Sequence, residues 1–341
     1  MRIGVLAVAA DTQANELAAR IALASGRPCP VFEYPLRAGT AVALDGDHLS
    51  WGGEDLGSFD KMVLAGFDVQ DPLVPRAVPS TDWRLWQIDY IVDQQGASFL
   101  ASVWRDLERR GVRLVNSWHA LQFGFAKPRL LAELQRAGLR VPPWLCSNEM
   151  PVVQRFCAEQ KSVVWRPATG RAMVQLFLDK QRLALVDPAL PPVLLAAHPG
   201  RTLRRAFVCG DEVLLAVDTS VARVDGWERM EEVWTVDAGP VARELVRALR
   251  RIRADWAEIA FVEQDGRPCI YDVDPDPRYG WLPADFRAYL QARLARKLLD
   301  LPAPAAGKMP APERGERESL FLRRMLAVLH DMEATKYTQD P

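Results

Sequence analysis

The sequence predicts an α/β unit followed by a strand-rich α+β region, and three observations carry that prediction. Over the first 115 residues, short apolar runs alternate with helix-like segments, the pattern that favours a parallel or mostly parallel sheet. From about residue 145 the apolar runs crowd together and are joined by short turn signals, as in antiparallel hairpins. The last such hairpin ends on Tyr271-Asp272-Val273-Asp274-Pro275, two acids one residue apart at a strand end.

Residues 3–8 form the first buried strand. Ala14 to Ser25 is a helix, with Gly26 placed to end it. A hairpin-like stretch follows around Leu44-Asp45-Gly46-Asp47 and Trp51-Gly52-Gly53, and Lys61 to Gly66 is the next strand. Residues 97–110 form a helix with Phe99, Leu100, Val103, Trp104 and Leu107 on one side, stopped by Gly111 before the strand Val112 to Val115. The aromatic segment Trp83 to Tyr90 is read either as a cap on this core or as a wall for a substrate or partner. No Gly-x-Gly-x-x-Gly follows the first strand, so the dinucleotide fingerprint is absent.

Asn116-Ser117 closes that strand and caps a helix beginning at Trp118. Lys127-Pro128 opens another, with proline at a tolerated first-turn position, Leu130, Leu131, Leu134 and Ala137 as its apolar stripe and Gly138 as its stop. Ser162 to Pro167 is a strand, and hairpins are read over 174–186 and 204–217. Pro240 opens a helix with Val241, Leu245, Val246, Leu249 and Ile252 on one face. The acid-ended hairpin comes next, turning at Asp265-Gly266, and a helix carrying Phe286, Leu290, Leu294 and Leu298 closes the region. Residues 301–315, rich in proline and alanine, read as a linker. Residues 316–341 are read as an amphipathic helix and tail, in which 317–334 is the face for a second protomer or a protein partner.

Composition narrows the classes of function. With 341 residues the chain holds two or three compact units. Its 43 basic and 44 acidic residues nearly cancel, so no global field draws it to nucleic acid or an anionic membrane. No run of eighteen apolar residues and no signal-peptide pattern is present, and the five scattered cysteines form no Cys-x-x-Cys pair. These features favour reduced thiols and a cytoplasmic location. The four histidines, His48, His119, His198 and His330, make no metal-spaced pair.

Side chains alternate along a strand, so Asp272 and Asp274 share a face and can share one divalent cation. A solvated strand end would carry the same residues, and spacing alone does not choose. Lys127 adds its charge to the positive end of a helix, which either suits an anion such as phosphate or leaves a lysine in water.

Taken in order, the strand before Asn116, the lysine-opened helix, "LQRAGLRVPPW", "VVWRPATG", "LRRAFVCGDEVL" and "AEIAFVEQDGRPCIYDVDPDP" resemble the ATP-grasp superfamily. The likeness is to the branch of glutathione synthetase and the ribosomal-protein-S6 glutamate ligases (RimK-like), over roughly residues 1–300. It implies an N-terminal α/β domain at 1–116 and an ATP-grasp domain at 117–300. The latter divides into a smaller lobe at about 117–192 and a larger one at about 193–300 that clamp nucleotide between them. It further implies ATP and Mg²⁺, and a carboxylate–amine ligation through an acyl phosphate on an amino acid or peptide.

Position by position, the resemblance makes Lys127, Arg166 and Gly170 the nucleotide-phosphate contacts and Asp272 and Asp274 the metal pair. Glu263, with Glu258 nearby, stands in for an acid whose usual place is taken by Ala260. Arg205 matches the arginine that helps hold substrate or phosphate, and Arg205 or Arg278 would orient the substrate carboxylate. The sequence departs from the family pattern in having arginine for lysine at 166, one glycine in the loop after it, and no acid around Leu195 to His198. Those departures support an alternative, a catalytically diverged ATP-grasp protein that binds nucleotide or peptide and serves a partner.

Overall fold

The computed structural model describes residues 1–9, 11–34, 40–46, 48–66, 83–166, 176–178, 192–198, 203–224 and 227–302. The N-terminal unit begins with β1 (Ile3–Val8), α1 (Thr12–Ser25), β2 (Val31–Tyr34), β3 (Val42–Leu44), β4 (Leu49–Trp51) and β5 (Glu54–Asp55). It continues with β6 (Lys61–Ala65), α2 (Trp83–Arg109) and β7 (Arg113–Val115). Four of these strands form an all-parallel sheet in the order β2-β1-β6-β7, while β3, β4 and β5 make a small antiparallel sheet. Asp11 caps α1, its side chain accepting from the Ala14 N–H, and Gly26 ends the helix in the left-handed conformation.

Helix α2 begins at Trp83, well before the expected residue 97, because neither proline nor a capping motif interrupts 83–109. The aromatic segment is thus the start of that helix; the side chains of 83–90 lie outside the description.

The two faces of the parallel sheet are covered from different parts of the chain. Leu6, Met62, Leu64 and Leu114 pack with Leu100, Val103, Trp104 and Leu107 of α2. Ile3, Val5 and Val63 on the other face join a core that contains residues more than 200 positions away.

Those distant residues belong to the second region. It comprises α3 (Trp118–Leu121), α4 (Lys127–Arg136), β8 (Trp144–Ser147), α5 (Met150–Glu159), β9 (Val163–Arg166), β10 (Leu176–Phe177) and β11 (Val193–Ala197). Then come β12 (Arg204–Cys209), β13 (Glu212–Val224), β14 (Trp227–Thr235), α6 (Ala242–Arg251), β15 (Trp256–Gln264), β16 (Arg267–Asp274) and α7 (Ala284–Leu298). One nine-stranded antiparallel sheet runs through it in the order β16-β15-β12-β13-β14-β10-β9-β11-β8.

Two lobe assignments change. Strand β11 pairs with β8 and β9, so it extends the smaller lobe to Ala197, beyond the expected limit at 192. Leu130 and Leu134 of α4 pack with Ala206, Val208, Leu245, Ile259 and Val273, so this helix belongs to the core of the larger lobe. The physical reason is the leucine stripe of α4, which the β12–β15–β16 face buries.

Helix α7 contributes Phe286, Leu290, Leu294 and Leu298 to the core shared with Leu17 and Ile21 of α1. Gly170, the hairpin loop after Leu178 and the helix expected at 317–334 lie outside the described residues. No described helix is long and apolar enough to cross a membrane, and all five cysteines are free thiols.

Candidate functional site

The acid-ended hairpin organises the site. Asp265 (φ 53°) and Gly266 (φ 70°) form the turn between β15 and β16, the left-handed pair that a tight two-residue hairpin requires. The register sets Asp272 opposite Ala260 and Asp274 opposite Glu258. Partners across an antiparallel ladder point to one side, so Asp272, Asp274 and Glu258 share a face. Tyr271 is the extra residue of a bulge in this ladder, and its hydroxyl donates to Ala197 O at 3.0 Å, tying β16 to the end of β11.

Two cations from different elements meet on Asp272. Lys127, only 1 % exposed at the start of α4, donates from Nζ to Asp272 Oδ1 at 2.8 Å and to Val273 O at 3.3 Å. Arg166, also 1 % exposed and the last residue of β9, donates from Nη1 to Tyr271 O. Its Nη2 lies 3.6 Å from the same Asp272 oxygen. Among the described residues the buried Nε–H of Arg166 has no acceptor. Burial by itself would raise the Asp272 pKa, but Lys127 and Arg166 outweigh it and hold this carboxyl below the usual aspartate range. Burial depresses the pKa of the Arg166 guanidinium.

Arg205 of β12 pairs with Glu258 and lies over the Trp281 ring, 5.5 Å from its centroid. Burial pushes the Glu258 carboxyl up against the pull of Arg205, and Asp274 and Asp272 add to the rise. Asp274 Oδ1 accepts the Asp276 N–H at 3.0 Å. Three cations, Lys127, Arg166 and Arg205, thus face three carboxylates, Asp272, Asp274 and Glu258.

The neighbouring Arg204 points to the opposite face, as alternation requires, and bonds Asp218 at 3.2 Å and Glu263 at 2.7 Å. That geometry removes Glu263 from the expected metal set. It pairs with Pro268 near the turn, three residues from Ala260, or roughly 10 Å along the strand. Glu258 is the acid that stands beside Asp274. Among the described residues no three acid, histidine or cysteine side chains are arranged to hold a metal ion.

The guanidinium of Arg278 pairs with Asp11. Around this pair, Gln13 Nε2 donates to Pro277 O at 2.9 Å, Tyr279 N donates to Gln13 Oε1 at 2.9 Å, and Gly66 N donates to Asp276 Oδ1 at 3.0 Å. The segment after β16 is therefore fastened to the C-terminal ends of β1 and β6. Gly66 has φ 80°, and a Cβ there would lie 2.1 Å from Arg278 Nη2.

One residue, read from the sequence only as closing a strand beside a helix cap, carries structural weight; the cap itself is Ser117. Asn116 is buried and donates from Nδ2 to Trp256 O at 2.7 Å and to Pro275 O. Its Oδ1 accepts from Asp255 N at 2.6 Å and Trp256 N at 2.9 Å. One amide thereby satisfies groups at both ends of the hairpin. The only local signal is an asparagine just after an apolar strand.

No family model matches this chain, and no curated protein matches it in sequence. Solved structures do. ATP-grasp ligase PsnB, complexed with a minimal precursor, is 20 % identical with a TM-score of 0.71, over 88 % of this chain and 99 % of that one. Macrocyclase MdnC from Microcystis aeruginosa MRC, bound with precursor peptide MdnA, is 13 % identical with a TM-score of 0.67, over 87 % and 99 %. An ATP-grasp RimK domain protein from Sphaerobacter thermophilus DSM 20745 is 17 % identical with a TM-score of 0.56, over 88 % and 100 %.

Proposed function

We propose, with the ATP-grasp fold that these likenesses establish as the premise, that the chain is an ATP-dependent, ADP-forming ligase joining a carboxylate to an amine on a peptide. Support for the peptide comes from the neighbours, described as ligases or macrocyclases complexed with precursors, in two cases together with Mg and ADP.

The observation that carries the reading is the convergence of Lys127 and Arg166 on one buried spot, where an Arg166 N–H has no acceptor among the described residues. A buried N–H of a charged group without an acceptor is costly, and an anion with several oxygens would supply the acceptor. Nucleotide phosphate fits. The carboxylates of Asp272 and Asp274 supply hard oxygen donors of the kind Mg²⁺ takes. Bound Mg²⁺ would neutralise charge on phosphate oxygens at this site.

In the proposed reaction Lys127 and Arg166 hold phosphates, together with the Gly170 backbone. Arg205, on the same sheet face as Asp272, exchanges Glu258 for the substrate carboxylate. Trp281 beneath Arg205 limits water around that cation. A carboxylate oxygen takes the γ-phosphoryl group of ATP as the bond to ADP breaks and ADP leaves; the amine then attacks the acyl carbon, the C–O bond to phosphate breaks, and the nitrogen loses a proton.

Calorimetric titration with Mg²⁺ and a non-hydrolysable ATP analogue tests the reading. Magnesium-dependent binding supports it, and absence of binding at millimolar analogue overturns it. A second reading, a nucleotide- or peptide-binding protein without ligation, is favoured by Ala260 facing Asp272 where an acid would complete a metal site. Peptide-dependent ADP release separates the two.

A further inference from the structure

We propose that Asp272 is a placeholder for phosphate: in the resting protein it neutralises Lys127 and Arg166, and a phosphoanhydride must displace it before its carboxylate is free for a divalent cation. This rests on the nucleotide reading above and adds an order of events to it.

Three features carry the inference. First, Asp272 Oδ1 is already fully engaged. It accepts from Lys127 Nζ at 2.8 Å and from Val273 N at 3.0 Å, with Arg166 Nη2 at 3.6 Å. A metal ion could join that oxygen only by expelling a cation that is itself buried. Second, Lys127 and Arg166 share a single Asp272 oxygen, and the Arg166 Nε–H has no acceptor among the described residues, so a ligand that brings several anionic oxygens would engage both cations more fully than Asp272 does. Third, the cations come from separate elements, α4 and β9, while Asp272 comes from β16. The carboxylate thus keeps two groups from different lobes aimed at one point, which makes Asp272 a positioning residue in the resting state.

Arginine at 166 has a reason on this account. Its fork reaches Tyr271 O with one nitrogen and Asp272 with another, where a lysine would offer a single point charge. Reciprocity then follows: whatever phosphate does for the cation, the cation does for phosphate.

The test is titration of the full chain with a non-hydrolysable ATP analogue in EDTA, comparing wild type with Asp272→Asn. If Asp272 competes with phosphate, the variant binds the metal-free analogue at least about tenfold tighter than wild type, while its magnesium enhancement disappears. Equal or weaker metal-free binding by a folded variant overturns the proposal. A second arm does not depend on nucleotide or on that variant folding: Mn²⁺ uptake followed by electron paramagnetic resonance with no nucleotide present. Lys127→Met, which frees Asp272 from its closest cation, is expected to bind Mn²⁺ about tenfold tighter than wild type, and Lys127→Met/Asp272→Asn to lose that gain. Wild-type Mn²⁺ affinity equal to that of Lys127→Met overturns the proposal. If wild type binds no analogue even with Mg²⁺, the ligase reading fails, and the Mn²⁺ arm alone then decides on the placeholder.

Discussion

Replacing Asp272 by asparagine keeps the shape of the side chain and removes its charge, leaving Lys127 and Arg166 facing each other inside the protein. The separations of 2.8 and 3.6 Å correspond to attractions of about 6 and 5 kcal/mol at an effective dielectric constant near 20. Desolvation of the carboxylate offsets much of this. Deleting one partner of a buried ion pair costs about 3–5 kcal/mol because the remaining charge is stranded, and here two charges are stranded. For a chain of this size that is a fall in melting temperature of roughly 4–7 °C or more. The assay is thermal unfolding of wild type and Asp272→Asn from pH 3 to pH 8.

The sign of the pH dependence follows from the Asp272 carboxyl, held below its ordinary value of 3.8 by its cations. A depressed carboxyl stabilises the fold above its unfolded-state pKa and loses that contribution as pH falls through the folded-state value. The gap between wild type and variant should therefore be full above about pH 4 and close at lower pH. Lys127→Met/Asp272→Asn should recover at least half of the loss, because one stranded charge is gone. A shift under 2 °C at pH 7, or a gap that persists unchanged to pH 3, would refute the assignment of Asp272 as the counter-charge of this site.

Other substitutions probe the remaining parts. Arg166→Lys keeps the charge but not the fork, and it should weaken binding of the magnesium–nucleotide analogue about 10- to 100-fold in calorimetry, with little change in fold by circular dichroism. Asn116→Ala strands the Asp255, Trp256 and Pro275 backbone groups, and urea unfolding should show a loss of about 3 kcal/mol or more. Gly66→Ala puts a Cβ into the Arg278–Asp11 pair at φ 80°, whereas Gly26→Ala has φ 67° and nothing within 4 Å. Thermal melts should therefore show Gly26→Ala costing about 1 kcal/mol and Gly66→Ala clearly more.

The sequence makes local periodicity visible, and its legible parts are the ones that depend on it. The Asp265-Gly266 turn and the alternation around it gave the right face for Asp272 and Asp274, and the alternation of Arg204 and Arg205 gave one inward arginine. The leucine stripe of α4 was visible too, but not the sheet it packs on, because a stripe names no partner. Glu263 was misplaced for the same kind of reason. Proximity in sequence to the acid pair does not fix register, and the turn carries Glu263 away from Asp272 while bringing Glu258 beside Asp274. Asn116 and the Asp11–Arg278 pair join segments 139 to 267 positions apart, and no window on the chain contains both ends of such a bond.

The core that α1 shares with α7 has a consequence for how this protein is made. Leu17 and Ile21 belong to the first tenth of the chain, yet the side chains that cover them, Phe286, Leu290 and Leu294, are among the last of the described residues to be synthesised. Each such apolar side chain gains about 1.5–3 kcal/mol from burial, and the α1 face cannot collect it while translation is under way. Until α7 is made, the side of α1 that meets it stays uncovered on the ribosome, a surface suited to chaperone capture. Release of the nascent chain from such capture should coincide with emergence of α7 from the exit tunnel, and a 1–116 fragment should be aggregation-prone instead of an independent domain.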